Sequence, residues 1–163
     1  MLSKDTSEWS WREIIKILES DKNALKDDTW GHRNTLLHMV VEKGQNDIVE
    51  ELLLFMKKKE EEKEILEQKN ADGSTALHVA VSVGNKHAMK LLVDQHKDLL
   101  TIRDKNDQDP LIKAFNNMQF DTFAYLFKVA VDNDKAKQLV ISQGSKKGAS
   151  LLVNAITAKQ YSE

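Results

Sequence analysis

The chain has 163 residues with 24 Lys and Arg against 26 Asp and Glu, a net charge of −2, and no cysteine. That balance gives no cationic excess to draw it to nucleic acid or anionic membrane, and the lack of thiols excludes disulfides and cysteine-ligated zinc while fitting a reducing, cytoplasmic setting. No run approaches the roughly 20 apolar residues needed to cross a bilayer, and the stretch from Met1 to Trp11 lacks a signal peptide's apolar segment, so direct membrane insertion is not expected.

In chain order, Trp11, Ile14, Ile15 and Leu18 have helical spacing and predict a first helix with Trp11 in the core. Asp21 to Lys26 follows as an exit segment. Trp30-Gly31-His32-Arg33 opens a turn, and Thr35 then caps a helix beginning at Leu36-Leu37-His38. Gly44 breaks that helix, and Ile48, Val49, Leu52 and Leu53 form the face of a second. This second helix is predicted to continue through the charged stretch Met56 to Glu64, built of good helix formers. Asn70-Ala71-Asp72-Gly73-Ser74 is a hairpin turn, with Gly73 free to take a positive φ. Thr75-Ala76-Leu77-His78 caps the next helix, Gly84 ends it, and Met89, Leu91, Leu92 and Val93 line its partner. After the exit segment His96 to Thr101, Asp109-Pro110-Leu111 starts another helix, with proline where its missing N–H is harmless. Phe120, Phe123, Tyr125, Leu126 and Phe127 mark the helix behind it. A polar insertion at Asp132 to Lys137 precedes a last capped start at Ser150-Leu151-Leu152.

The starts at Thr35, Thr75, Asp109 and Ser150 recur at lags of 40, 34 and 41 residues, a period of about 33 with two insertions. Each is followed by a helix, a tight turn, a second helix and a polar turn. Thr75-Ala76-Leu77-His78-Val79-Ala80 resembles the ankyrin signature Thr-Pro-Leu-His-x-Ala, and the whole chain resembles an ankyrin repeat array. The expected fold is therefore all-α, a solenoid of stacked antiparallel helix pairs with projecting hairpins. It is divided into a partial unit at 1–29, repeats at about 30–69, 70–103 and 104–143, and a partial unit at 144–163. Because Leu151, Leu152 and Ile156 would lack a second helix to cover them, the chain is read as cut from a longer one, the alternative being that another molecule covers that end. The segment Leu91 to Asp104 with Asn106 to Leu111, and Gly148 to Leu152 with Tyr161, are further similar to plant ankyrin proteins of the PGG-domain type related to accelerated-cell-death regulators. That family carries a membrane domain after its ankyrin array.

The chemistry-bearing residues have simpler structural uses. His38 and His78 occupy the signature position whose ring bonds backbone near a hairpin, and His32, His87 and His96 share no metal-site spacing. No Gly-x-Ser-x-Gly elbow or phosphate-cradling glycine loop is present. No catalytic residue, metal or cofactor is expected. Trp30 has two readings: a ring folded over the first repeat interface, or a partner-facing anchor.

The resemblance implies a non-catalytic module that binds another protein through a concave surface of hairpin tips and inner helices. Carried onto this chain, that surface comprises Trp30, His32, Arg33 and Asn34 with Glu42 and Lys43; Ala71, Asp72 and Ser74 with Ser82 and Val83; Lys105, Asn106 and Gln108 with Asn116 and Asn117; and Lys146 and Lys147. The resemblance further implies the cytosolic domain of a plant signalling or defence membrane protein. The alternatives are a free-standing ankyrin inhibitor or adaptor masking a regulatory protein and, from another class, an enzyme or metal sensor. Oligomeric state is not legible.

Overall fold

A computed structural model describes residues 10–21, 23–28, 31–59 and 62–134, apart from the side chain of Lys59. Trp30, Lys146, Lys147 and the last unit around Ser150 therefore lie outside the described residues. Regular structure among the described residues is entirely helical. The helices are α1 (Trp11–Ser20), α2 (Leu36–Glu42), α3 (Asn46–Lys59), α4 (Glu62–Leu66), α5 (Ala76–Val83), α6 (Lys86–Gln95), α7 (Pro110–Asn116) and α8 (Phe120–Val131), with a 3-10 turn at Lys97–Thr101.

The pairs α2 with α3, α5 with α6 and α7 with α8 each pack together across a tight turn. The inner helices α2, α5 and α7 stack in a row, and α3 lies against α6 behind them. The reason is compositional. Ala76, Leu77, Ala80 and Val81 are at most 1% exposed, so α5 is buried on nearly all sides yet thin enough for α2 and α7 to approach it closely. One continuous apolar core runs from Ile14 and Leu18 through Leu52, Leu77 and Leu92 to Leu126 and Ala130.

Side-chain amides in the helix-to-helix turns tie neighbouring pairs together. Asn85 donates through Nδ2 to Val41 O at 3.1 Å, and Gln119 donates through Nε2 to Val81 O at 2.9 Å. These are equivalent places one repeat apart, so the carbonyls of Val41 and Val81, each already accepting the N–H of its turn's glycine at 3.2 Å, take a second bond from the next unit.

The expected continuation of the second helix through Glu64 passes positions 60 and 61, outside the described residues. On its far side α4 buries Ile65 and Leu66, which fill the place that Leu99 and Leu100 fill one repeat later. Phe120 does not join the core; it is 45% exposed, although its ring meets Phe115 edge-on at 6.2 Å. Trp11 is only partly buried, packed edge-on against Phe55 of α3 at 6.5 Å.

The turns show where glycine is needed. Gly73 has φ +71°, and a Cβ there would sit 2.9 Å from the backbone nitrogen of Lys105; Gly84 has φ +72° with open space around it. Gly84→Ala is therefore expected to cost about 1–2 kcal/mol, the left-handed penalty alone. Gly73→Ala should cost clearly more, because a backbone atom of the next hairpin must move. Chemical denaturation of the two variants checks the order.

Candidate protein-interaction surface

The surface is assembled from three hairpins. Asn70 and Asp104 organise two of them in the same way. Asn70 N–H donates to Ser74 O at 2.9 Å while Asn70 Oδ1 accepts the N–H groups of Asp72 and Ser74, both at 3.0 Å. Asp104 N–H donates to Gln108 O at 3.0 Å while Asp104 Oδ1 accepts from Asn106 N–H and Gln108 N–H at 2.9 and 3.1 Å. Hairpins are then linked to one another. Ala71 N–H donates to His32 O at 2.7 Å, and Lys105 N–H donates to Asp72 O at 3.0 Å.

The second and third hairpins are each also bolted to the inner helix before them by a histidine. Thr75 N–H donates to His78 Nδ1 at 3.2 Å, and Thr75 Oγ1 lies 2.9 Å from the same nitrogen. A nitrogen that accepts an N–H carries no proton of its own, so the ring proton sits on Nε2 and is donated to Gln108 O at 3.0 Å. The previous unit repeats this: Thr35 N–H to His38 Nδ1 at 3.2 Å, and His38 Nε2 to Ser74 O at 2.9 Å. Both rings are almost fully buried. Burial pushes His78 down to about 4, against the opposing pull of the Gln108 carbonyl and the Asp104 carboxylate. Burial also lowers His38, opposed by the Ser74 carbonyl. With both nitrogens engaged by their own backbone, neither ring is available as a base or a metal ligand. Among the described residues, no group of three His, Asp or Glu side chains comes together to hold a metal ion.

At Asp104 the side chain is 1% exposed and its Oδ2 accepts from Lys113 Nζ at 3.0 Å. Burial raises this carboxyl, but Lys113 together with the Gln108 and Asn106 N–H groups outweighs it, holding Asp104 below the usual carboxylate range.

The side chains named from sequence fall into two sets. His32, Arg33, Glu42, Lys43, Asp72, Ser82, Val83, Lys105, Asn106, Asn116 and Asn117 are exposed, with Ala71 and Gln108 half-buried. The repeat lags place Glu42, Ser82 and Asn116 in one row of inner-helix ends and His32, Asp72 and Asn106 in one row of hairpin tips. Asn34 and Ser74 are buried, at 9% and 5%. Asn34 Oδ1 accepts from Asn70 Nδ2 at 3.0 Å, and Ser74 supplies the backbone that His38 and Asn70 bind, so both serve the hairpin frame. Arg33 is held on the surface, its Nε and Nη2 each 2.8 Å from Asp28 Oδ2.

Sequence spacing missed two pairings on the outer side, one exposed and one half-buried. His87 Nε2 meets Glu50 Oε1 at 2.6 Å, and His96 Nε2 meets Glu67 Oε1 at 2.7 Å, each joining consecutive repeats. No local signal marks them, because the partners are 37 and 29 residues apart.

Comparison with known proteins agrees with this frame. The family model "Ankyrin repeats (3 copies)" matches residues 10–99 and 37–138. The chain belongs to the ankyrin repeat family. It is 33% identical over 86 residues to the mouse B-cell lymphoma 3 protein homolog, covering 53% of this chain and 18% of that protein. It is 32% identical over 108 residues to an Arabidopsis thaliana ankyrin repeat-containing protein, covering 65% of this chain and 19% of that one. The chain thus spans about a fifth of the length of these relatives. Its fold also resembles a chain in the crystal structure of the yeast ribosomal protein Rps3 in complex with its chaperone Yar1. The TM-score is 0.61 at 25% identity, over 72% of this chain and 82% of that one. Ankyrin repeats are protein–protein interaction modules, and this chain carries that architecture. Among the described residues no helix is long and apolar enough to cross a membrane.

Two outcomes follow from the histidine bolts. His78→Ala leaves Thr75 N–H and one lone pair of Gln108 O unpaired in the interior, an expected loss of about 1–3 kcal/mol in a denaturation midpoint. Acidification should also destabilise the array. Below about 6.5 the unfolded chain protonates this ring while the folded chain resists down to about 4, so stability is fully present above 6.5 and declines as the pH falls across that window. The contribution of His78 is on the order of 3 kcal/mol. Urea melts at pH 7 and pH 4.5 should show the decline, with a shallower slope in His78→Ala.

Proposed function

We propose that this array is a non-catalytic protein-binding module, and that its contact surface is the face of hairpin tips and inner-helix ends. The observation that supports this is the pre-built frame: hairpins closed by Asn70 and Asp104, joined by Ala71 N–H and Lys105 N–H, and anchored by His38 and His78. A surface held this way loses little conformational freedom when a partner docks, so more of its contact energy appears as affinity. The exposed candidates on it are His32, Arg33, Glu42, Lys43, Asp72, Ser82, Val83, Lys105, Asn106, Asn116 and Asn117. Ala71 and Gln108 contribute edges, and Trp30, Lys146 and Lys147 belong to the same proposal from sequence.

Within that reading, the module is the cytosolic domain of a plant signalling or defence membrane protein. The support is the residue pattern from Leu91 to Leu111 and the 32% identity to the Arabidopsis ankyrin protein. The competing reading is a free-standing inhibitor, adaptor or chaperone that masks a regulatory protein. It draws on the likeness to the structure that holds a chaperone with its ribosomal-protein partner.

A binding scan tests the surface. Arg33→Glu, Ser82→Arg and Asn116→Arg should each weaken capture of a validated partner by tenfold or more, about 1.4 kcal/mol, at unchanged melting temperature. Lys57→Glu and Lys58→Glu, on the extended end of α3, should leave binding unchanged. The reverse pattern would make the extension the binding element.

A further inference from the structure

Each helix-to-helix turn needs one residue in the left-handed region. In the first two repeats that residue is Gly44 (φ +71°) and Gly84 (φ +72°); in the third it is Met118, at φ +59°. Met118 is also 76% exposed, the highest value among the exposed large apolar residues, whereas Met39, Met56 and Met89 are 9%, 0% and 2% exposed. A long thioether therefore stands in solvent at a backbone conformation that glycine suits and a side chain resists, the kind of outlier from which a functional reading starts.

We propose that Met118 is a site of reversible oxidation to methionine sulfoxide, with hydrogen peroxide or an equivalent two-electron oxygen donor as co-reactant. The sulfur lone pair attacks one peroxide oxygen, an S–O bond forms as the O–O bond breaks, and the departing hydroxide takes the remaining proton and leaves as water. The sulfur is oxidised by two electrons and the peroxide is reduced by two.

Two features make this a modification site rather than a point of damage. The turn is held by backbone bonds, Met118 N–H to Phe115 O and Gln119 N–H to Ala114 O, both 2.9 Å, so the fold does not rely on packing of the Met118 side chain. Adding an oxygen there removes no core contact, unlike oxidation at Met56 or Met89. The change is nonetheless felt at the surface. Met118 follows Asn116 and Asn117 directly, and the bond from Gln119 Nε2 to Val81 O brings its turn beside the end of α5, where Val83 is 47% exposed; Phe120 next to it is 45% exposed. A sulfoxide puts a strong dipole and acceptor among these apolar side chains.

The test is peroxide treatment of the whole folded chain, quenched at intervals and read by peptide mapping with mass spectrometry. Met118 should gain one oxygen at least about tenfold faster than Met39, Met56 and Met89, which react only through opening of the fold. The product oxidised at Met118 should keep its helical circular dichroism, and methionine sulfoxide reductase should remove the oxygen. In denaturant all four should react alike. Equal rates in the folded chain, loss of helical signal on oxidation at Met118, or a sulfoxide that the reductase cannot reach would each overturn the proposal.

Discussion

The structure rests on a buried histidine that works in two directions at once. One ring nitrogen completes the cap of its own helix by accepting a threonine N–H, and the other reaches into the next repeat to donate to a hairpin carbonyl. A single uncharged side chain thereby closes a local element and fixes the spacing of its neighbour. Its requirements are strict. The ring must be neutral, in one tautomer, and shielded from water, and the surrounding apolar helices meet the last condition. The carbonyls of Ser74 and Gln108 use both acceptor directions, one for the hairpin's own N–H and one for the histidine. Inner helix, hairpin and next hairpin therefore behave as one frame.

In the third repeat the signature position is Ile112 and the histidine is missing. Its hairpin, already held by His78 of the preceding repeat, is braced from its own helix as well: Asp109 caps α7 by accepting Ile112 N–H at 2.9 Å, and Lys113 reaches back to Asp104 at 3.0 Å. This adds an ion pair within the repeat to the neutral bond between repeats. A buried pair of this kind offsets its desolvation only when further hydrogen bonds complete it, and Asp104 has them from Asn106 and Gln108.

The outer row solves a different problem. Lys86 and Lys90 place positive charge in the first turns of α6, the end where the helix dipole disfavours it. Neighbouring helices contribute contacts there, with the Tyr125 ring of α8 under Lys90 Nζ at 5.6 Å from its centroid and Glu50 of α3 on His87. The charged end of α3 and the helix after it likewise have structural uses. Met56 is fully buried, Glu64 meets Lys26 at 3.0 Å, and Gln68 donates to Lys26 O at 2.8 Å, which together hold the first helix and its exit segment to the array.

The sequence by itself determined the capped starts at Thr35, Thr75 and Asp109 and the apolar face of each helix, because capping and helical periodicity are set by near neighbours. The recurrence of those starts gave the repeat period, and the resemblance to the ankyrin signature implied the use of His38 and His78 within the frame. Hairpin positions were legible from near neighbours too, and most of the side chains named there are exposed. What only the tertiary structure decided depends on groups far apart in the chain. It turned Asn34 and Ser74 inward, since Asn70 and His38 come from other segments to meet them. It drew Ile65 and Leu66 into the shared core. It paired His87 and His96 with glutamates of the preceding repeat. It also set the left-handed backbone at Arg33, Asp107 and Met118, where stacking dictates a turn that those side chains would not choose.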